Sequence, residues 1–584
     1  MFFLHEQKKP NFLKGTAILA ATVVFVKVIG AIYQIPIIRI LGDEGAGYFH
    51  VTYMVYGLLL AISTAGVPVA LSRLVSSAAA RENTPLIKRY YSVAMQAIAV
   101  IGVAVMFLMF FFADNLAGFM GSSLAATGIR VLSPAVYFVC IISVYRGYAQ
   151  GYQDMIPTAA SQVIEVVSKA VIGLAVAFYL ARMGYQSQYV SAGAITGVTI
   201  GLGLCIPVMM WYKRKIDRRF NDSDATKFTN EAKLSNEEKL TNEAKLTNES
   251  TPPNEAKLTN EKLSDLPSRR HALLRFLKVS ITISLSASFM SIMGVIDTSV
   301  VSNRLQSALM LTESEAMAQL GIFRKGLSLY NLPPSLVVPL AVSIIPAIAA
   351  AIARKNKDES SSIMQSSFKL TNLFAMPACA GIMVLAGPIL KALYYDPAQT
   401  SETVATMTTI LFILGAASYF VCLQHMTIAT LQANGYERVA LLTFPVGAVV
   451  RITLSYFLVA NPDIGIIGSP IATLACFTII VILNIIFITV KIGARMKIIS
   501  GFIKPLVCAL IMAAVAYLTY EGIYWLGSGI IGTGVNAVRL YLAISIMIGI
   551  IIYIVLIALS KAITKEDLLY VPKGEKLAKL LRVR

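Results

Sequence analysis

Lys27 stands about fourteen residues into the first long apolar run of this chain, 13–38. At a rise of 1.5 Å per residue that is about 21 Å along a helix. No acidic residue lies three or four positions away on either side. An ionisable side chain deep in a membrane costs at least about 2.5 kcal/mol, so it persists where it meets water, a partner or a ligand. Two readings follow for Lys27. Its ammonium snorkels to the interface, or it faces a water-filled cavity and meets an anion. Other apolar runs carry charges too. Arg39 closes the first run and suits an interfacial anchor. Arg324 and Lys325 precede a segment with Pro333, Pro334, Pro339 and Pro346, and Arg451 has no acid near it on its own run. These five are the candidate lining of an anion-binding cavity. Glu165 and Lys169 are spaced i,i+4 in the favourable order and read as an ion pair or a coupling pair. Asp297 has three candidate partners: Lys27, Arg451 or a coupling cation. His425 reads as a hydrogen-bonded bundle residue. Cations outnumber acids, and the anion they suit best is a phosphate or diphosphate.

Signatures of catalysis are missing. The chain has no Gly-Lys dipeptide and so no P-loop, and neither HExxH nor GxSxG occurs. The six cysteines (Cys140, Cys205, Cys379, Cys422, Cys476 and Cys508) all fall in apolar stretches without CxxC spacing. Neither disulfides nor a metal site are expected, and no cofactor is called for. The expectation is a transporter, not an enzyme.

The elements that must position these charges follow from composition. The chain has 584 residues, 57% hydrophobic and 14% charged, with a mean hydropathy of +0.70. Soluble proteins carry about 25% charged residues. The sequence therefore predicts an all-α integral membrane protein. Apolar runs of spanning length number about fourteen; the second covers 48–72, the seventh 276–303 and the eighth, kinked by its prolines, 328–353. Basic residues concentrate in alternate loops, including Arg73, Arg81, Lys88, Arg89, Arg354, Lys355, Lys357, Lys491, Arg495 and Lys497. Both termini are expected in the cytoplasm. In this setting the net charge of +19 marks cytoplasmic loops facing anionic lipid, not a nucleic-acid partner. The first run is too long for a signal-peptide core and is expected to be retained.

Residues 213–272 are different. Between basic ends lies a six-residue repeat, TNEAKL from Thr229, SNEEKL from Ser235 and TNEAKL from Thr241. Its charges nearly cancel and it lacks the apolar content for a core, so it reads as a solvated linker. The flanking halves resemble each other. Phe12-Leu13-Lys14 matches Phe276-Leu277-Lys278, and the same offset pairs Gly30 with Gly294 and Leu41 with Leu305; a second offset pairs Gln150 with Gln432 and Lys169 with Arg451. Two parallel-repeat six-helix lobes are expected, 1–212 and 273–497, with a substrate site between them near mid-bilayer. Two further helices, 498–560, and a basic cytoplasmic tail, 561–584, complete the expected plan.

One stretch is more specific. Arg146-Gly147-Tyr148-Ala149-Gln150-Gly151, then Met155-Ile156-Pro157-Thr158-Ala159 and Ser161-Gln162-Val163-Ile164-Glu165, resembles the RGYxQG…M.PTA.SQ..E segment of the MurJ and stage V sporulation protein B branch of the multidrug/oligosaccharidyl-lipid/polysaccharide flippases. The opening FLKGTAIL and Gly66-Val67-Pro68-Val69-Ala70-Leu71-Ser72-Arg73 are similar as well. The resemblance implies flipping of an undecaprenyl-diphosphate-linked glycan, lipid II in the MurJ branch, from the inner to the outer leaflet of a bacterial cytoplasmic membrane. It implies a cationic cavity that opens alternately to each side, with a groove for the lipid tail on the last two helices. Lys27 falls where the family carries a cavity arginine, and Arg324 or Lys325 falls near another. The chain departs from the family at Tyr33, which aligns with a further first-helix arginine, and in a second helix with no basic residue before Arg73.

Three alternatives stay open: export of another polyprenyl-linked polysaccharide unit, a drug/cation antiporter on the same architecture, and a scaffold that recruits cell-wall synthesis or sporulation proteins. The antiporter needs acids in the cavity, and Lys27 argues against it.

Overall fold

The computed structural model describes residues 9–242, 267–492 and 498–560, apart from 65, 80, 82, 355, 398, 530 and 531. Among the described residues the chain is helical and contains no strand. Its apolar runs leave no other choice in a bilayer, where each backbone N–H and C=O must be satisfied within its own segment. Among the described residues, eleven stretches are long and apolar enough to cross a membrane. The expected count of fourteen is not confirmed by that measure: the serine-rich helix 269–307 and the broken pair around Asn331 are not among the eleven, and the first two runs merge.

Helix α1 (Lys9–Thr64) turns at Gly42, whose φ of 65° favours a residue without a Cβ. It therefore holds the first expected span and most of the second. The rest of the second is α2 (Val67–Ala79), beyond a break at Gly66. The expected span 48–72 is thus corrected to two pieces. Pro68 sits in the first turn of α2, where the missing N–H is harmless. A Cβ at Gly66 would lie 2.1 Å from the Ser280 carbonyl oxygen, and the Gly66 amide donates to Ser284 Oγ at 2.9 Å.

The N-terminal half continues with α3 (Thr84–Phe111), the short α4 (Ala113–Phe119), α5 (Ala126–Gly151) and α6 (Ile156–Ser168). A π-helical turn, Lys169–Gly173, joins α6 to α7 (Leu174–Arg182). Helix α8 (Ser187–Asn242) continues past the expected span into the first two repeats of the linker; residues 243–266 lie outside the described residues.

The C-terminal half opens with α9 (Arg269–Ser307). The expected eighth span starts earlier than 328, as α10 (Glu313–Tyr330), and breaks at Asn331 before α11 (Leu332–Ala353). Pro333 and Pro334 explain this break as Pro68 explains the other. The offset that pairs Gly30 with Gly294 carries Val67, the first residue of α2, onto Asn331. The two halves therefore break at equivalent places, as a duplicated unit should. The remaining helices are α12 (Lys357–Val384), α13 (Ala386–Tyr394), α14 (Ser401–Ala433), α15 (Glu437–Val459), α16 (Gly468–Phe487), α17 (Ile498–Gly527) and α18 (Val535–Leu559).

Here the end of the bundle where α1 begins is termed basal and the end at Gly42 distal. The halves are fastened at the distal end. A Cβ on Gly47 would lie 2.0 Å from the Met317 carbonyl oxygen, and one on Gly321 would lie 1.7 Å from that of Asp43. Only glycine lets α1 and α10 approach this closely, the membrane's usual way of gaining packing without a hydrophobic effect. Glu44 accepts hydrogen bonds from Ser314 Oγ (2.8 Å) and Tyr48 (3.1 Å) on one oxygen and from Ser187 Oγ (2.8 Å) on the other. Ser299 and Asn303 of α9 donate to the Phe119 carbonyl, and Gln306 to that of Gly121.

Candidate functional site

Between the halves lies a cavity of about 590 Å³. Helix α1 contributes Val26, Gly30 and Gln34, one face at a spacing of four. Arg146 comes from α5, and Gln162 and Glu165 from α6. Ser328, Asn331 and Ser335 line it from around the break between α10 and α11. That break turns polar side chains and backbone ends toward the cavity, where irregular backbone is tolerated.

The charges are distributed unevenly. Arg146 donates Nε to Ser161 Oγ at 2.8 Å and pairs with Glu165 at 3.5 Å. The expected Glu165–Lys169 pair is therefore not what forms: an arginine on the neighbouring helix takes the carboxylate. Lys169 points instead at ring faces, 5.2 Å from the centroid of Tyr33 and 4.9 Å from that of Tyr53. One turn past Ser328 toward the distal end, Arg324 stacks 5.8 Å from Phe49. Its Nε is buried without an acceptor, as are the hydroxyls of Tyr33 and Tyr53 and Nδ1 of His50. The Phe49 ring under Arg324 also packs on Tyr53, with centroids 4.6 Å apart, and Lys169 lies over both Tyr53 and Tyr33, so these residues form one cluster. None of these residues lines the cavity itself; the cluster lies one helical turn beyond the lining on the distal side, Arg324 from Ser328 and Lys169 from Glu165, and is termed the roof: two cations, orphaned hydroxyls, and among the described residues no carboxylate bonded to either cation.

The other expected site residues lie elsewhere. Lys325 is buried and forms an ion pair with Asp43, which also accepts from Gln399 at 3.0 Å. It belongs to the distal seal. Arg451 donates to Asp297 at 2.7 Å, and Ser455 Oγ donates to the other Asp297 oxygen at 2.8 Å. Of the three candidate partners for Asp297, the structure selects Arg451, in a buried contact between α9 and α15 apart from the cavity lining. Arg39 is exposed at the distal end, bonded to α13. The side chain of Lys27 lies outside the described residues. Sequence reasoning missed Arg146, Gln162 and Gln34 as lining residues. Arg146 had a signal, since it is a cation in the apolar run 126–147, but it entered only as part of a motif.

No group of three or more potential metal ligands occurs among the described residues, and all six cysteines are free and buried.

The molecule is thus a helical membrane bundle with a polar chamber between two similar halves. Comparison with known proteins agrees. A family model described as polysaccharide biosynthesis protein matches residues 12–229. Over 573 residues, 98% of the chain and 97% of the relative, the sequence is 24% identical to the uncharacterized membrane protein YabM of Bacillus subtilis (strain 168). It is 23% identical to stage V sporulation protein B of the same organism, over 97% of the chain and 98% of the relative. Lipid II flippase MurJ, also of Bacillus subtilis, is 30% identical over 217 residues, 35% of the chain and 40% of that protein. Among solved structures, lipid II flippase MurJ in an inward closed conformation matches with a TM-score of 0.62 at 16% identity, covering 93% of this chain and 98% of that one. An inward-facing multidrug resistance MATE family transporter gives 0.60 at 17% identity, covering 81% and 98%. The chain is thus similar to the MurJ and stage V sporulation protein B branch of the multidrug/oligosaccharidyl-lipid/polysaccharide flippase superfamily, over residues 12–229 in the family model and over nearly its whole length in YabM and stage V sporulation protein B. It is a multi-pass membrane protein; of the proteins it resembles, MurJ is named a lipid II flippase and the MATE structure a multidrug resistance transporter.

Proposed function

We propose that this chain flips a polyprenyl-diphosphate-linked glycan, lipid II in the first instance, across the bacterial cytoplasmic membrane by alternating access. The supporting observation is the roof of the cavity, where Arg324 and Lys169 carry charge with no bound carboxylate while Glu165, Asp43 and Asp297 are each taken by another cation. A charge left unpaired in a low-dielectric interior costs several kcal/mol, by order of magnitude. A diphosphate entering the cavity relieves that cost, and its own dehydration is offset by two cations and two free phenol hydroxyls. Arg324 supplies a planar fork and Lys169 a point charge. Lys27 is proposed to meet the anion from the basal side. The lobes are 1–212 and 273–497, the linker is 213–272, and 498–560 takes the lipid tail. Both termini are cytoplasmic, which makes the basal end cytoplasmic and the sealed distal end external. Anionic lipids flank the basic loops and the tail 561–584.

The antiporter reading loses its footing in the same observation, because a cationic drug would find no free acid in this cavity. The test is competition for the purified protein among lipid II, undecaprenyl phosphate and a cationic dye. Selective, salt-sensitive binding of lipid II supports the proposal. Binding of the dye with indifference to lipid II overturns it. Binding of both polyprenyl phosphates alike favours another lipid-linked glycan as cargo.

A further inference from the structure

Outside the cavity, two arginines from distant parts of the chain meet on one carbonyl. Arg39 donates Nε to Leu393 O at 2.5 Å and Nη2 to Ala392 O at 3.1 Å. Arg539, in the first turns of α18, donates Nε to the same Ala392 oxygen at 3.0 Å and Nη1 to Asn536 Oδ1 at 3.1 Å. Sharing an acceptor places the two guanidinium groups within about 6 Å of each other, from hydrogen bonds of ordinary length. Their acceptors are the last carbonyls of α13. A helix C-terminus offers about half a negative charge, and two full positive charges face it. Lys391, one residue earlier, lies 5.6 Å from the Tyr524 ring and adds a third cation.

Among the described residues neither arginine forms an ion pair, and Glu521 on the adjoining α17 makes none with them. Among the described residues, Nη1 of Arg39 and Nη2 of Arg539 bond to no acceptor. Both arginines are exposed; Leu540, next to Arg539, is an exposed apolar residue, as are Ile32 two turns before Arg39 on α1 and Trp525 and Leu526 at the end of α17. A pair of forked donors beside apolar surface at a membrane face suits an amphiphile that ends in phosphate.

We infer that Arg39 and Arg539 form a phosphate site for a lipid headgroup at the distal face, separate from the central cavity. The ligand is a phosphate monoester or diphosphate on a hydrocarbon chain. Each arginine keeps its bonds to α13 and turns its free edge to the phosphate, and the chain lies along α1, α17 and α18. The inference requires only that the protein span a membrane, and it holds whatever the cavity carries.

The test is thermal unfolding of the full-length protein in dodecyl maltoside, in an Arg324→Gln/Lys169→Gln background that disables the cavity cluster. The probes are farnesyl phosphate, farnesol and inorganic phosphate. Farnesyl phosphate is expected to raise Tm saturably at concentrations where the other two do not. Adding Arg39→Gln/Arg539→Gln is expected to weaken that response at least tenfold. Should this variant not fold, Arg539→Gln alone is read in its place, with a loss of at least threefold expected. An undiminished response in the arginine variants overturns the site. An equal response to inorganic phosphate overturns the lipid assignment, and an equal response to farnesol shows that the chain alone is recognised.

Discussion

Arg324 and Lys325 are consecutive residues of α10 with opposite surroundings. Lys325 is buried against Asp43 in the distal seal, while Arg324 stacks on Phe49 at the roof of the cavity with its Nε unpartnered. One turn of one helix thus joins the site that would receive an anion to the contact that holds the distal end shut. A ligand that draws Arg324 toward the cavity rotates or shifts α10 and acts directly on the Lys325–Asp43 pair. The free energy for opening would come from differential affinity of the cargo for the two states.

Arg324→Gln is expected to cut lipid II flipping at least tenfold while leaving the protein folded. Its stability without cargo should stay level or rise, by up to about 2 kcal/mol, because an unpaired buried charge has been removed. Flipping by reconstituted protein, read beside thermal unfolding in detergent, checks both halves of the statement. A variant that flips normally, or one that loses function only because it unfolds, contradicts the assigned role.

Glu165 competes with any anion for Arg146. Glu165→Gln is expected to tighten lipid II binding and to lower stability. Removing one partner of a buried pair costs about 3–5 kcal/mol; the Glu165 side chain is one-third exposed, so the expectation here is smaller, about 1–2 kcal/mol. Binding isotherms and Tm measured together separate these effects, since a merely structural pair would lower Tm without improving affinity.

The seal rests on glycines at close approach. Gly321→Ala places a methyl group on the carbonyl of Asp43 and is expected to hold the distal end open. All six native cysteines are buried, so a single Met317→Cys reporter, at a residue fully buried in the seal, can be read with a membrane-impermeant maleimide. Labelling should rise severalfold in Gly321→Ala relative to Gly321. Equal labelling would mean that the helices part without needing this contact.

Asp297 tests the ion-coupled alternative. Its two oxygens are occupied by Arg451 and Ser455, so Asp297→Asn should destabilise the protein by about 3–5 kcal/mol by stranding Arg451. The dependence of transport on a sodium or proton gradient should not change in the protein that remains folded. A loss of gradient dependence at normal stability would make Asp297 a coupling site.

Much of this fold was legible from the chain. Apolar runs placed most helices, and the offset pairing Gly30 with Gly294 pointed to two similar halves without showing where either breaks. The breaks themselves were less visible. A run such as 48–72 is apolar throughout, and only Gly66 with Pro68 marks the interruption within it. The positions of the charges were legible, their partners less so. Spacing along one helix pointed to Glu165–Lys169, but Arg146 on α5 approaches from a direction no local pattern encodes. The ammonium of Lys169 was released to the rings of Tyr33 and Tyr53. Arg324 and Lys325 looked interchangeable in sequence. They face different neighbours because successive side chains on a helix point about 100° apart.

The central claim is that two cations at the cavity roof receive the cargo's diphosphate. The most direct measurement is flipping of fluorescent lipid II in proteoliposomes by the wild-type chain and by Arg324→Gln/Lys169→Gln, with a cationic dye as the alternative cargo. The account predicts flipping by the wild type, loss of at least a hundredfold in the double variant, and no dye transport by either. Lipid II flipping that survives removal of both cations, or dye transport that improves with it, would contradict the account.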